Sequence, residues 1–150
     1  MKKVAILVSV VLLATACSET PKAHDALVSD KALAFAEAYL NYDYQEALRH
    51  VTPESEKWLR YAASNLTQED IDAVNGQEEA ATVEADDVTW TSDSTAVVAI
   101  TASNLMVKDS IGKAAYWHEE AEYRLTVVKR DGRYYVRMAC PLRSERQSRD

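Results

Sequence analysis

The sequence predicts an α+β fold: N-terminal helices packed on a curved antiparallel sheet of about four strands. Three observations predict it. Between about Asp30 and Gly76, apolar residues recur at helical spacing behind residues suited to cap helices. From Glu84 the period shortens to two and β-branched residues become frequent. Asp131-Gly132 then stands between two β-rich runs. An Asp-Gly pair in that setting marks a tight hairpin, because the turn needs positive φ and Gly supplies it without strain.

The elements follow in order. A first helix is expected over about Asp30 to Asn41, capped by Ser29 or Asp30, with Ala32, Leu33, Ala36, Tyr39 and Leu40 along one side. Asp43 and Glu46 form a capping-box-like pair, and Ala47, Leu48 and Val51 give a short second helix its apolar side. Thr52-Pro53 opens a third helix: Thr caps, and Pro suits the first helical position, where its missing N–H is not needed. Trp58, Leu59, Ala62, Ala63 and Leu66 form the apolar side of that helix. Thr67 with Asp70 starts one more short helical stretch, which Asn75-Gly76 ends. Val83 to Trp90 alternates loosely as a first strand, and Thr91-Ser92-Asp93-Ser94 has turn chemistry. Thr95 to Leu105 reads as a second strand, with Ala96, Val98, Ile100 and Ala102 on one face. Residues 107–113 are a loop, and Ala114 to Lys129 is a long third strand. Tyr134 to Cys140 closes the hairpin.

A two-residue turn sets the hairpin register. Arg130 opposes Arg133, Lys129 opposes Tyr134 and Val127 opposes Val136. Leu125 is expected opposite Met138, and Tyr123 opposite Cys140. One face is then apolar while the other carries Arg124, Thr126 and Arg137, as in a sheet covered by helices on one side. Alternation carries the apolar face back to Glu119 and Trp117 and turns His118 away from it. Cys140 reads as a small, buried apolar residue.

The chain of 150 residues suits one domain behind an export signal. Met1-Lys2-Lys3 is cationic, Val4 to Leu13 is apolar apart from Ser9, and small residues lead to Cys17. The apolar run is too short to span a bilayer, which takes roughly 20 residues. The Cys directly after Ala14-Thr15-Ala16 resembles a bacterial lipoprotein signal, with Leu13 one place earlier than the usual Leu. That resemblance implies lipidation of Cys17 and a membrane anchor; ordinary cleavage after Ala16 without lipid is the alternative. The expected layout is a signal peptide over 1–16, a lipidated tether over 17–28, a domain over 29–142 and a polar tail over 143–150. Cleavage removes Lys2 and Lys3 and takes the net charge from −7 to −9. Such an acidic domain gives no reason to bind nucleic acid, whose phosphates attract clustered cations.

Three passages carry a family resemblance. Residues 34–48, around Tyr39-Leu40-Asn41-Tyr42-Asp43, look like a helix, Asp and x-x-A turn. Ser94-Thr95-Ala96-Val97-Val98 is similar to a D-x-A-x-V strand. Val128 to Val136 is similar to a K-x-D-G-K-W-x-V hairpin, with Tyr134 in place of Trp. Together they resemble the nuclear transport factor 2-like (cone-shaped α+β) superfamily, and with the lipoprotein signal they resemble its lumazine-binding-like lipoproteins. The resemblance implies a pocket between the concave sheet face and the helices, lined by Tyr123, Leu125, Tyr134, Val136, Met138, Val98 and Ile100. The resemblance specifies a fold and not a reaction; with the signal, and with no polar catalytic group on the expected core face, the expectation is a non-catalytic envelope lipoprotein, anchored to the outer membrane, that takes a small apolar ligand or a protein partner. A homodimer through the outer sheet face is a further implied arrangement. The alternative is an isomerase, dehydratase or cyclase with a general base in the cone. Asp43, His50, His118, Glu119 and Glu122 are the residues available for that role, with His118 and Glu119 the polar candidates nearest the expected pocket. No cofactor motif is found, and three His without paired spacing give no expectation of a metal.

Overall fold

The computed structural model describes residues 20–108 and 112–146. Cys17 and the expected signal peptide lie outside the described residues. The first helix, α1, runs from Pro21 to Leu40, nine residues earlier than the sequence suggests. Thr20 caps it with Pro21 behind, the same Thr-Pro start that is read at Thr52-Pro53. Residues 21–28 are therefore helix and not tether. Polar composition hides this, but Val28 is fully buried and Asp25 accepts a 2.6 Å hydrogen bond from the Trp90 indole. Those contacts dock the first turns of α1 on the sheet.

Asp43 caps α2 (Tyr44–Leu48) by accepting from the Glu46 N–H at 3.0 Å. Thr52-Pro53 begins a 3-10 turn, Pro53–Ser55, before α3 (Glu56–Ser64). The helix α4 (Gln68–Asn75) has a reciprocal capping box: Thr67 N–H donates to the Asp70 carboxylate and Asp70 N–H donates to the Thr67 hydroxyl.

Four antiparallel strands follow, β1 (Thr82–Ser92), β2 (Thr95–Val107), β3 (Tyr116–Arg130) and β4 (Arg133–Arg137), adjacent in chain order. Register shifts between Ala85 and Asp87 and between Trp90 and Ser92 bend β1, which curves the sheet. The hairpin turn has Asp131 at φ 50 and Gly132 at φ 76, the two positive angles that match the right-handed twist of the strands. Pairing runs from Arg130↔Arg133 to Thr126↔Arg137 as the turn dictates. It then stops. The expected pairs Leu125–Met138 and Tyr123–Cys140 do not form, because Met138 N–H donates to the buried Ser55 hydroxyl instead. The outer edge of β4 is covered locally, where Val136 bridges Val51. Cys140 is exposed, not buried.

The core lies between α1 and the sheet. Val28, Ala32, Phe35, Ala36 and Tyr39 face Ala96, Val98, Ile100, Leu125, Val127 and Val136. Phe35 is its largest fully buried side chain, and truncating such a ring to Ala costs about 3–5 kcal/mol. The expected tail is part of the fold as far as Arg146. Ser144 is buried, and Glu145 N–H donates to the Glu122 carbonyl at 2.8 Å.

Candidate functional site

A cleft of about 1440 Å³ opens where α1, α2 and α3 diverge from the first half of β3, with residues 140–146 as a further wall. Its depth comes from how α1 ends. Asn41 caps the helix, Tyr42 enters the left-handed region at φ 61, and Asp43 N–H reaches back to the Ala38 carbonyl at 2.9 Å. Left-handed backbone costs a non-glycine residue roughly 1–2 kcal/mol. Two contacts offset it: the Tyr42 hydroxyl donates to the Met106 carbonyl at 2.8 Å, and its ring stacks on Tyr44 at 6.1 Å. Tyr44 in turn meets Tyr39 edge-on at 5.2 Å. Asn41 locks this corner to the sheet, its side chain donating to the Ala81 carbonyl at 3.0 Å and accepting from the Ala81 N–H at 2.9 Å.

The wall is aromatic and its phenols are held neutral. Burial pushes the Tyr39 hydroxyl up to about 12, a hydrogen bond from the Leu142 backbone acting against it. Burial, then the nearby Asp70 charge, pushes Tyr42 up to about 12 as well. Tyr44 and Tyr123 are displaced further in the same direction, again mainly by burial. Below the Tyr42 corner lies Asp70, fully buried. Burial opposes its charge, but the Lys108 ammonium and the N–H groups of Thr67 and Ala115 outweigh that and hold the carboxyl well below the usual carboxylate range. With three donors around its carboxylate, Asp70 is committed to joining α4 to the segments that follow β2 and lead into β3.

Across the mouth stand His118, Glu120 and Glu122 from β3 and Arg143 and Arg146 from the last segment. His118 lies on this cleft and Glu119 does not, the reverse of the alternation expected from sequence. The break falls at Asn104. At φ 60 it interrupts the β2–β3 ladder between Ser103↔Glu120 and Leu105↔His118. Buried positions on β2 step from 96, 98, 100 and 102 to 105, so the partner face of β3 shifts from Ala121 to His118. Trp117 is left 56% exposed on the other side.

No family profile matches the sequence, and no curated protein matches it. Among solved structures, an NTF-2-like protein of unknown function from Shewanella oneidensis MR-1 is similar, with a TM-score of 0.50 and 12% identity over 75% of this chain and 93% of that one. The chain has the NTF-2-like fold. A function-unknown protein from Mycobacterium tuberculosis is also similar, with a TM-score of 0.47 and 14% identity over 85% of this chain and 78% of that one. A ketosteroid isomerase-like protein from Erwinia carotovora atroseptica gives 0.44 and 15% over 77% and 96%. At these identities the likeness is one of fold.

Within this NTF-2-like fold the sequence-derived lining residues separate. Tyr123 lies on the cleft. Val98, Ile100, Leu125, Val136 and Met138 are buried in the core beside it. Tyr134 lines a second, smaller groove and accepts or donates a 2.7 Å hydrogen bond with His24. Glu122 reaches the cleft mouth. Asp43 serves as a helix cap, and His50 does not line the cleft but sits between Lys31 at 3.2 Å and Glu46 at 3.2 Å. Tyr39, Tyr42, Tyr44, Trp58 and Tyr61 are the lining residues that sequence reasoning missed. Their signal was an aromatic run astride a helix end, three Tyr within six residues from Tyr39. Among the described residues, no three His, Cys, Asp or Glu side chains converge to hold a metal ion. The arrangement offers aromatic faces, neutral phenol donors and a mixed-charge rim. These groups suit holding a flat, weakly polar molecule by stacking and a few hydrogen bonds.

Proposed function

We propose that this protein is an exported, lipid-anchored envelope protein whose cleft binds a small apolar, ring-bearing ligand without transforming it. The tyrosine-walled cleft carries the reading. Its volume exceeds the several hundred Å³ typical of small-molecule sites. The buried carboxylate behind its wall, Asp70, does not line the cleft and is tied to Lys108 and two backbone N–H groups, which leaves it no proton to exchange with a ligand. The anchor rests on the cationic, apolar and small-residue run that ends at Cys17. A neutral, environment-sensitive apolar dye such as N-phenyl-1-naphthylamine is expected to bind one to one. Ala62→Trp, which fills the cleft from α3, should weaken that binding at least about tenfold with little change in Tm. Dye binding that ignores Ala62→Trp would overturn the site.

A second reading, an enzyme of isomerase or dehydratase type, is favoured by one observation: the His118 imidazole reaches the same cleft. Turnover of a ring-bearing substrate that is lost in His118→Ala would establish it over the binding reading.

A further inference from the structure

We infer that the groove between α1 and the β3–β4 hairpin is a docking surface for the anionic headgroups of a phospholipid bilayer. The groove holds about 380 Å³ and is lined by Lys31, Arg49, Lys129 and Arg133 together with Leu27. Four cations and no acid line it, on a chain whose net charge is −7. Arg49 is paired with Glu46 at 2.9 Å. Among the described residues no carboxylate is paired with Lys31, Lys129 or Arg133. The cations are positioned: Lys31 donates to His50 Nδ1 at 3.2 Å, and the Lys129 ammonium lies 5.5 Å from the Tyr134 ring centroid. Leu27 is 44% exposed among them. An exposed apolar side chain ringed by Lys and Arg suits a headgroup boundary, where the apolar part enters and the cations meet phosphate. It is a poor neighbour for a free anion.

The position of the groove argues for a membrane, and this step rests on the lipid anchor proposed above. Thr20, the cap of α1, is three residues after Cys17, so full extension spans about 11 Å at most. Leu27 lies seven residues further, about 10 Å along the helix. A lipid on Cys17 therefore holds the groove close to the bilayer at high effective concentration. The remaining acidic surface is repelled by the same headgroups, so the groove also sets which way the cleft faces.

The test uses the processed chain with Cys17→Ser, which carries no lipid, and cosedimentation with vesicles of phosphatidylcholine with or without phosphatidylglycerol. Binding is expected only to the anionic vesicles, and it should fall steeply between about 0.05 and 0.5 M salt. Lys129→Gln with Arg133→Gln should weaken it roughly thirtyfold, from about fivefold per cation. Lys57→Gln with Arg60→Gln, on α3, should leave it unchanged. Equal binding to neutral vesicles, or groove variants that bind like the wild type, would overturn the inference. Displacement by inorganic phosphate at matched ionic strength would assign the groove to a free anion and overturn it too. The intact mass of the protein purified from envelopes reads the anchor separately. An unmodified Cys17 removes the anchor without touching the vesicle result, and an acylated Cys17 with inert groove variants removes the groove alone.

Discussion

Replacing Asp70 by Asn should destabilise the domain by about 3–4 kcal/mol. The carboxylate accepts from Thr67 N–H at 2.9 Å, from Ala115 N–H at 3.1 Å and from the Lys108 ammonium, all at a site closed to solvent. An Asn of the same shape has one acceptor oxygen, so its amide must face at least one of these donors. A hydrogen bond to a charged group contributes about 1.5–3 kcal/mol, and stranding the other half of a buried ion pair costs about 3–5 kcal/mol. The Lys108 side chain is 12% exposed and can partly turn to water, which places the loss in the lower part of that range. For a domain of this size the Tm should fall by roughly 10–15 °C. Lys108→Met alone should cost less, because two N–H donors remain for the carboxylate. The double variant should recover about 1–2 kcal/mol relative to additivity. The pH dependence adds a second readout. A carboxyl whose folded pKa is depressed stabilises the fold above its unfolded value of about 3.9, and that stability is lost as pH falls through it toward the folded value. Urea unfolding across pH 2–6 should therefore show an acid limb that is shallower in Asp70→Asn, the remainder coming from Glu54. Stability of Asp70→Asn within about 0.5 kcal/mol of wild type, or strict additivity with Lys108→Met, would refute the assigned role.

Tyr39 and Tyr42, held neutral to about pH 12, should stay silent in a 295 nm absorbance titration while exposed phenols ionise near 10. Because their folded values are raised, stability should be intact below pH 10 and decline as pH rises toward 12. Ser55→Ala should cost about 1–3 kcal/mol in denaturant unfolding, since it leaves the buried Met138 N–H without its 2.8 Å acceptor and the Thr52 hydroxyl without its 2.7 Å partner. Glu54, bonded by Arg130 at 2.7 and 2.9 Å, should titrate near pH 2 by carboxyl NMR, and Arg130→Met should return it toward about 4.3. Tyr42→Phe should lose about 1 kcal/mol with the hydrogen bond to Met106, while Asn104→Ala, forced to keep φ 60, should lose about 1–2 kcal/mol; thermal unfolding checks both.

Local chemistry was legible wherever neighbours in sequence settle it. The caps at Asp43 and Thr67, the Asp131-Gly132 turn and the register up to Thr126↔Arg137 all follow from side chains acting within a few residues, whereas Thr52-Pro53 opens a 3-10 turn without a Thr52 side-chain cap and the third helix starts only at Glu56. The helix start at Thr20-Pro21 was written in the same code and was hidden only by polar composition. Its apolar contribution, Val28, gains meaning from a sheet that begins more than fifty residues later.

What the tertiary structure decided is of longer range. The hairpin pairing ends at Arg137 because Ser55, 83 residues away in the chain, offers Met138 a buried acceptor. Cys140 is exposed for the same reason: once the strand is released from β3, nothing buries it. At Asn104, which leaves the extended region, the buried positions of β2 step by three, and the paired positions of β3 step with them from Ala121 to His118. Strict alternation counted along β3 misses that step, which follows the pairing with the neighbouring strand. The sequence by itself therefore determined the order of elements, the tight turn and the apolar face of the sheet, all set by interactions within a few residues. Only the tertiary structure decided that the cleft belongs to the tyrosines around the end of α1, because a cleft exists where elements diverge, and that geometry is a property of the packed whole.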